Sequence, residues 1–253
     1  MPQIVSIHSF RGGTGKSNAT ANLAVLLAAQ GRRVGVVDTD IQSPGIHVLF
    51  DLDEEGIRYT LNDYLWGACD ITQTAYDVTV HLAGPQPGQI FLIPSSPKAG
   101  QIARVLREGY DVGLLNEGFQ TLITTLALDV LLIDTHPGLN EETLLAIAIS
   151  DTLIIVLRPD QQDYQGTGVT VEVARRLDVP RLVLLVNKVP AVFDVTNVKA
   201  RVEQAYHCEV AAVLPHCEEM MALASAGIFV LHYPTHPITA ALTQVATLLL
   251  AEA

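Results

Sequence analysis

A doubly wound α/β fold, its mostly parallel sheet covered by helices on both faces, follows from two features of this 253-residue sequence. Short β-branched runs alternate with helical patterns, and most of the runs are apolar at every position instead of every second one. Unbroken apolarity marks strands with no solvent face, and strand–helix alternation marks parallel crossover units. In chain order the runs are QIVSIH (3–8), RVGVVD (33–38), QIFLIP (89–94), DVLLID (129–134), TLIIVL (152–157), RLVLLVN (181–187) and EVAAVL (209–214). Helical patterns separate most of them, at about 16–30, 99–107, 111–127, 141–149, 163–177, 194–206 and 218–226, with a last one near 238–251. Gly84, Pro85, Pro87 and Gly88 mark a turn between two short strands. No composition break, repeat or low-complexity linker divides the chain, so residues 1–253 are expected to form one domain.

The charge balance narrows the partners. A net charge of −12, from 27 acids and 15 bases, disfavours a generic hold on DNA or anionic lipid. No Lys or Arg follows Arg201, whereas Glu203, Glu209, Glu218, Glu219 and Glu252 do. Arg104 with Arg107, Arg175 with Arg176 and Arg181, and Lys199 with Arg201 are the local basic groups, read as solvated helix faces. The last segment carries Ile238, Leu242, Val245 and Leu249 at helical spacing without a base, the pattern of core packing and not of a membrane anchor. The chain goes straight into strand-like sequence without a basic leader and holds no apolar run of about 18 or more residues, so a cytoplasmic protein is expected. Cys69, Cys208 and Cys217 are too few and too scattered for a disulfide framework and read as small buried side chains.

Directly after the first run comes Ser9-Phe10-Arg11-Gly12-Gly13-Thr14-Gly15-Lys16-Ser17-Asn18, and then a helical stretch. Glycines there let consecutive backbone N–H groups converge on phosphate oxygens, and the helix N-terminus adds its dipole. Lys16 is placed to bridge the β and γ phosphates of a nucleotide, and Ser17 to offer a hydroxyl to Mg²⁺. Thr14 and Asn18 complete the run around the phosphates. Phe10 stands where the strict GxxxxGK[ST] pattern has its first Gly.

With that departure the loop resembles the deviant Walker A of the MinD/ParA family, whose signature is Lys-Gly-Gly-x-Gly-Lys-[Ser/Thr]. The resemblance implies a P-loop ATPase that binds ATP with Mg²⁺, closes a homodimer on ATP and opens on hydrolysis. It also implies that the charge at the start of the loop, here Arg11, crosses the dimer interface to the partner's nucleotide. Arginine keeps the charge of the family's lysine and adds a planar fork suited to phosphate.

Other segments carry the resemblance further. Val37-Asp38-Thr39-Asp40 ends the second run, where an open α/β sheet binds ligand. By resemblance Asp40 orients the attacking water and Asp38 organises the metal region. Leu131 to Gly138, LLIDTHPG, resembles the family's strand followed by D-x-P-x-G, with His136 and Pro137 in changed order. Asp134 would hold Mg²⁺ in the Walker B role, Gly138 would offer an N–H near the γ-phosphate, and His136 reads as a structural hydrogen-bonder. Asn187-Lys188 ends the sixth run and resembles the family's adenine-reading Asn-[Arg/Lys]; Pro215 would close the purine's other side.

Three functions fit this pattern: a positioning or assembly switch with an unidentified protein partner or activator, an Mrp-like iron–sulfur cluster carrier, and a small-molecule kinase or ligase. The switch is the expected one, with slow, partner-stimulated hydrolysis, weak DNA binding at most and no direct membrane binding. The carrier is suggested by Asp38 to Ile46, which looks like that branch's D-x-D-I-x-x-P-x-I, but the chain has no C-x-x-C to hold iron and sulfide.

Overall fold

The computed structural model describes residues 2–81 and 87–251. Eight strands form one sheet: β1 (Gln3–His8), β2 (Arg33–Asp38), β3 (Tyr76–Asp77), β4 (Gln89–Ile93), β5 (Val130–Asp134), β6 (Thr152–Leu157), β7 (Arg181–Val189) and β8 (Glu209–Pro215). Their order across the sheet is β3-β4-β2-β5-β1-β6-β7-β8, and every pairing is parallel except the short edge pair β3–β4. Strand β1 therefore lies between β5 and β6, and the crevice at its carboxyl end is where such a sheet takes a ligand.

The longer helices are α1 (Lys16–Ala29), α4 (Ala99–Glu108), α5 (Gly113–Thr125), α6 (Glu141–Ala148), α7 (Gln161–Arg176), α8 (Val195–Tyr206) and α11 (Pro237–Leu250). Shorter ones are α2 (Ile46–Leu49), α3 (Leu61–Leu65), α9 (Glu218–Leu223) and α10 (Phe229–His232). Alternate residues of one strand serve opposite faces, as strand geometry requires. Val130 and Leu132 of β5 join a core with α1 and α11, whereas Leu131 and Ile133 join one with α5 and α6. A third cluster packs α7 and α8 on β6 and β7. Both faces are covered, which explains why the strands read as unbroken apolar runs.

Ile238, Leu242, Val245 and Leu249 of α11 are all buried, packed with α1 and β8, so the apolar stripe is core. Among the described residues no helix is long and apolar enough to cross a membrane. The basic side chains largely meet local partners. Arg104 pairs with Glu108 at 2.8 Å, Arg176 with Glu172 at 2.6 Å, Arg181 with Glu209 at 3.4 Å and Lys199 with Glu203 at 3.8 Å.

Several boundaries differ from the sequence reading. The turn expected at Gly84 and Pro85 lies outside the described residues; Gly88 is described, and its backbone meets the Ala28 and Arg32 carbonyls with no room for a Cβ. Helix α9 stops early because Ala224 and Ser225 turn into the left-handed region, at φ 48° and 63°. Strand β7 does not end at Asn187. It continues to Val189, which pairs with Pro215 after a register shift, and Lys188 is left in a bulge at φ 57°. Of the cysteines only Cys217 is buried; Cys69 and Cys208 are partly exposed.

Candidate nucleotide site

The loop between β1 and α1 turns through two left-handed glycines, Gly13 at φ 77° and Gly15 at φ 100°. Gly12, Gly13, Gly15, Lys16, Ser17 and Asn18 line a cavity of about 390 Å³ together with Asp40, Ser43 and Pro137. A second cavity of about 380 Å³ shares Gly15 and Asn18 with it and is walled by Asn187, Lys188, Pro215, His216, Cys217 and Met220 among others. One cleft thus runs from a polar, glycine-lined end to a more apolar end walled by β7, β8 and α9, the pairing of environments that polyphosphate and base call for.

Asp40 lines the glycine-lined end, and two further carboxylates lie buried beside it. Asp38 and Asp134 are register partners on β2 and β5, and both are almost wholly buried. Burial pushes the Asp134 carboxyl up to about 6, against the opposing pull of the Ser17 hydroxyl and the Lys16 charge. Asp38 is raised well above the carboxylate range, first by burial and then by the charges of Asp134 and Asp40. Its oxygens accept the backbone N–H groups of Asp40 at 3.0 Å and Gly45 at 3.3 Å, so it also shapes the loop after β2. A buried acid pair beside a Ser hydroxyl is a hard oxygen set of the kind that suits Mg²⁺. Beneath the loop, His8 is neutral, its pKa drawn down to about 3 by burial. Its Nδ1–H donates to Thr135 Oγ1 at 2.8 Å, because that hydroxyl's own proton goes to Ile7 O.

The AAA domain family model matches residues 2–178. An uncharacterised ATP-binding protein of Methanocaldococcus jannaschii is 30% identical over 247 residues, covering 97% of this chain and 87% of that protein. The fold is shared with the septum site-determining protein MinD from Pyrococcus horikoshii, solved with Mg-ADP, at a TM-score of 0.79 and 21% identity over 97% of this chain and 95% of that one. The chain belongs to the MinD/ParA family of deviant Walker A P-loop proteins. A cytosolic Fe-S cluster assembly factor, CFD1 of Chaetomium globosum, is 31% identical over 163 residues, which is 62% of this chain and 48% of that protein.

In this MinD/ParA chain, Asn187 and Lys188 are tied to the phosphate loop. Asn187 Nδ2 donates to Thr14 O at 2.8 Å and its Oδ1 accepts the Lys188 N–H, while Lys188 Nζ reaches Gly13 O at 2.8 Å. One amide proton and one lone pair of Asn187 remain for a further partner. Arg11 lies outside the glycine-lined cavity, with Phe10, Gln162 and Val169 along a neighbouring hollow. Its guanidinium stands 3.8 Å from Asp160 and 3.7 Å from Asp163, at the start of α7. Gly138, at φ 88°, donates its N–H to Ser9 O at 3.2 Å and so ties the loop after β5 to the phosphate loop.

Sequence reasoning missed Asp160, Asp163 and Gly166. Asp163 is buried and accepts from Arg158 Nε at 2.9 Å, which anchors the start of α7 beside Arg11. At Gly166 a Cβ would collide with the Phe10 ring, so the aromatic side chain at the missing Walker glycine seats itself on a bare patch of α7. Two glycines inside a helix, in Gln165-Gly166-Thr167-Gly168, were the signal that could have found this. Gly166→Ala is expected to destabilise the protein by about 1–3 kcal/mol through overpacking, although helix propensity alone would favour Ala by roughly 0.5–1 kcal/mol. Thermal denaturation checks it: the midpoint falls in Gly166→Ala and recovers when Phe10→Ala is added.

Cys217 Sγ sits 3.2 Å from Glu219 Oε2 and 4.0 Å from His236 Nε2. His236 Nδ1 accepts the Ile238 N–H at 3.1 Å, so the ring's proton is on Nε2 and points a donor, not a lone pair, at the sulfur. The three groups form a hydrogen-bonded chain that fastens the N-terminus of α11 to the wall of the cleft's more apolar end.

Proposed function

We propose that residues 1–253 act as one cytoplasmic ATP-controlled dimerisation switch, hydrolysing ATP to ADP and phosphate slowly until a protein partner stimulates it. The observation that carries this reading is the place of Arg11. Its charge lies beside the phosphate cavity but not in its wall, 41% exposed and only loosely matched by Asp160 and Asp163. A second subunit's phosphates would offer it better-placed acceptors. Within one chain, Gly12, Gly13, Thr14, Gly15, Lys16, Ser17 and Asn18 would cradle the phosphates, and Asn187, Lys188 and Pro215 would receive the adenine. Asp40 would orient the attacking water. Ser17, Asp38 and Asp134 would hold Mg²⁺, which supplies charge neutralisation at the β and γ phosphates. The Gly138 N–H, taken by Ser9 O, is not free for the γ-phosphate as the sequence suggests, and Gly138 would instead couple the phosphate loop to the loop after β5.

In light scattering, ATP with Mg²⁺ is expected to shift the protein from monomer to dimer while ADP leaves it monomeric. A hydrolysis-blocked variant that stays monomeric at high concentration with ATP would remove the switch reading. The similarity to CFD1 keeps iron–sulfur cluster carriage as the second reading. The cysteines of this chain stand on separate segments, after α3, before β8 and before α9, so a cluster would need thiolates brought together between subunits. Iron and sulfide in freshly purified protein would favour it over the switch.

A further inference from the structure

His136 comes from the loop after β5, Asp40 from the loop after β2, and the two meet in a short polar contact beside the phosphate cavity. The His136 ring Nδ1 lies 2.6 Å from Asp40 Oδ1. The same oxygen accepts the Ser43 backbone N–H at 3.1 Å. Oδ1 therefore serves two donors from two directions, and Oδ2 is the oxygen left with lone pairs to offer on a side chain that lines the phosphate cavity. His136 is itself held: Thr143 Oγ1 of α6 donates to its carbonyl at 3.3 Å, and Pro137 restricts the backbone on its far side. Both side chains are mostly shielded, at 22% and 16% exposure, so water competes weakly for the contact.

We propose that His136 is a positioning residue for ATP hydrolysis, fixing Asp40 so that Oδ2 faces the attacking water. The proposal rests on the reading of Asp40 as the water-orienting acid. A free aspartate at the rim of a loop samples several rotamers, and only some of them aim an oxygen at the γ-phosphate. Two donors on Oδ1 select one. Because Gly138 lies on the same loop as His136, the aim of the acid follows the position of the loop that meets the phosphate.

The test compares His136→Ala, His136→Asn and His136→Gln, with Asp40→Ala as reference, in steady-state ATP turnover and in affinity for a fluorescent ATP analogue. The Asn side-chain nitrogen falls where histidine has Nδ1, whereas that of Gln falls nearer Nε2. His136→Ala is expected to lower kcat by about 10- to 100-fold, the scale of losing a positioned group, with KM and analogue affinity nearly unchanged. His136→Asn restores most of the rate and His136→Gln does not. In the Asp40→Ala background, His136→Ala adds no further loss, since both act through one carboxylate. Parental turnover in His136→Ala, equal rescue by Asn and Gln, or additive losses in the double variant would each overturn the proposal. Parental turnover in Asp40→Ala, or a parent protein that does not turn over ATP, would overturn the underlying reading and the proposal with it.

Discussion

Asp134→Asn is expected to raise the thermal stability of the nucleotide-free protein near pH 8 and to abolish its response to magnesium nucleotide. Asp134 and Asp38 face each other across β2 and β5 inside the sheet's carboxyl edge, and burial raises both carboxyls, Asp134 to about 6. An acid whose folded value exceeds its unfolded one binds its proton more tightly when folded. Its contribution is therefore favourable at low pH and is lost as pH climbs from about 4 to about 6. For Asp134 the rise corresponds to roughly 3 kcal/mol at pH 8. The amide of Asn carries no charge to desolvate and still accepts from the Ser17 and Thr20 hydroxyls that now meet the carboxylate. Denaturation midpoints at pH 5 and pH 8 check the claim, the variant's advantage being larger at pH 8. Adding ATP or ADP with Mg²⁺ should stabilise the parent, by mass action on the folded state, and leave the variant unmoved. A variant less stable than the parent at pH 8 would mean that Lys16 already compensates the buried charge.

That instability is a property of position, and position was largely legible. A carboxylate closing an apolar run, as in Leu131-Leu132-Ile133-Asp134, reads as the end of a buried strand, and Gly12 to Lys16 before a helical stretch reads as a phosphate cradle. Both signals are local, because strand burial and loop conformation are set by neighbouring residues. What stayed hidden depends on chain segments meeting in space. Strand β3 is two residues, Tyr76 and Asp77, that are extended only because β4 pairs with them. Asp163 meets Arg11 across about 150 positions of sequence, and nothing near either residue announces the other. His136 reads from its place before proline as a hydrogen-bonder, but the carboxylate it meets, Asp40, lies 96 positions away. The strand exit at Asn187 misled for the opposite reason. A polar residue after an apolar run looks like a terminus, yet β8 resumes pairing at Val189 and carries the strand past it.

Arg11→Ala is expected to keep ATP affinity in the monomer while losing ATP-driven dimerisation and all but a background rate of hydrolysis. The cis cradle of Gly12, Gly13, Gly15 and Lys16 does not include Arg11, so the variant's monomer binds as before. Its present partners hold it weakly. Asp163 already accepts from the Arg158 backbone N–H at 3.0 Å and side chain at 2.9 Å, and Arg11 stands 3.7 Å off on the exposed side. Asp160, its other partner, is as exposed as Arg11 itself, and exposed pairs contribute about 0–1 kcal/mol, so the side chain leaves easily and its removal should shift the denaturation midpoint little. In the closed dimer the same charge would face a partner's phosphates, and without nucleotide two such arginines would repel across the interface. Arg11→Lys should restore much of both dimerisation and turnover by returning the family's own residue. Mixing Arg11→Ala with Lys16→Ala tests the crossing itself: the subunit that still holds nucleotide can borrow Arg11 only from its partner. Activity recovered in the mixture supports contact in trans. An Arg11→Ala protein that dimerises normally on ATP would return Arg11 to Asp160 and Asp163 as a local tie at the start of α7, and the closed dimer would need another source of charge.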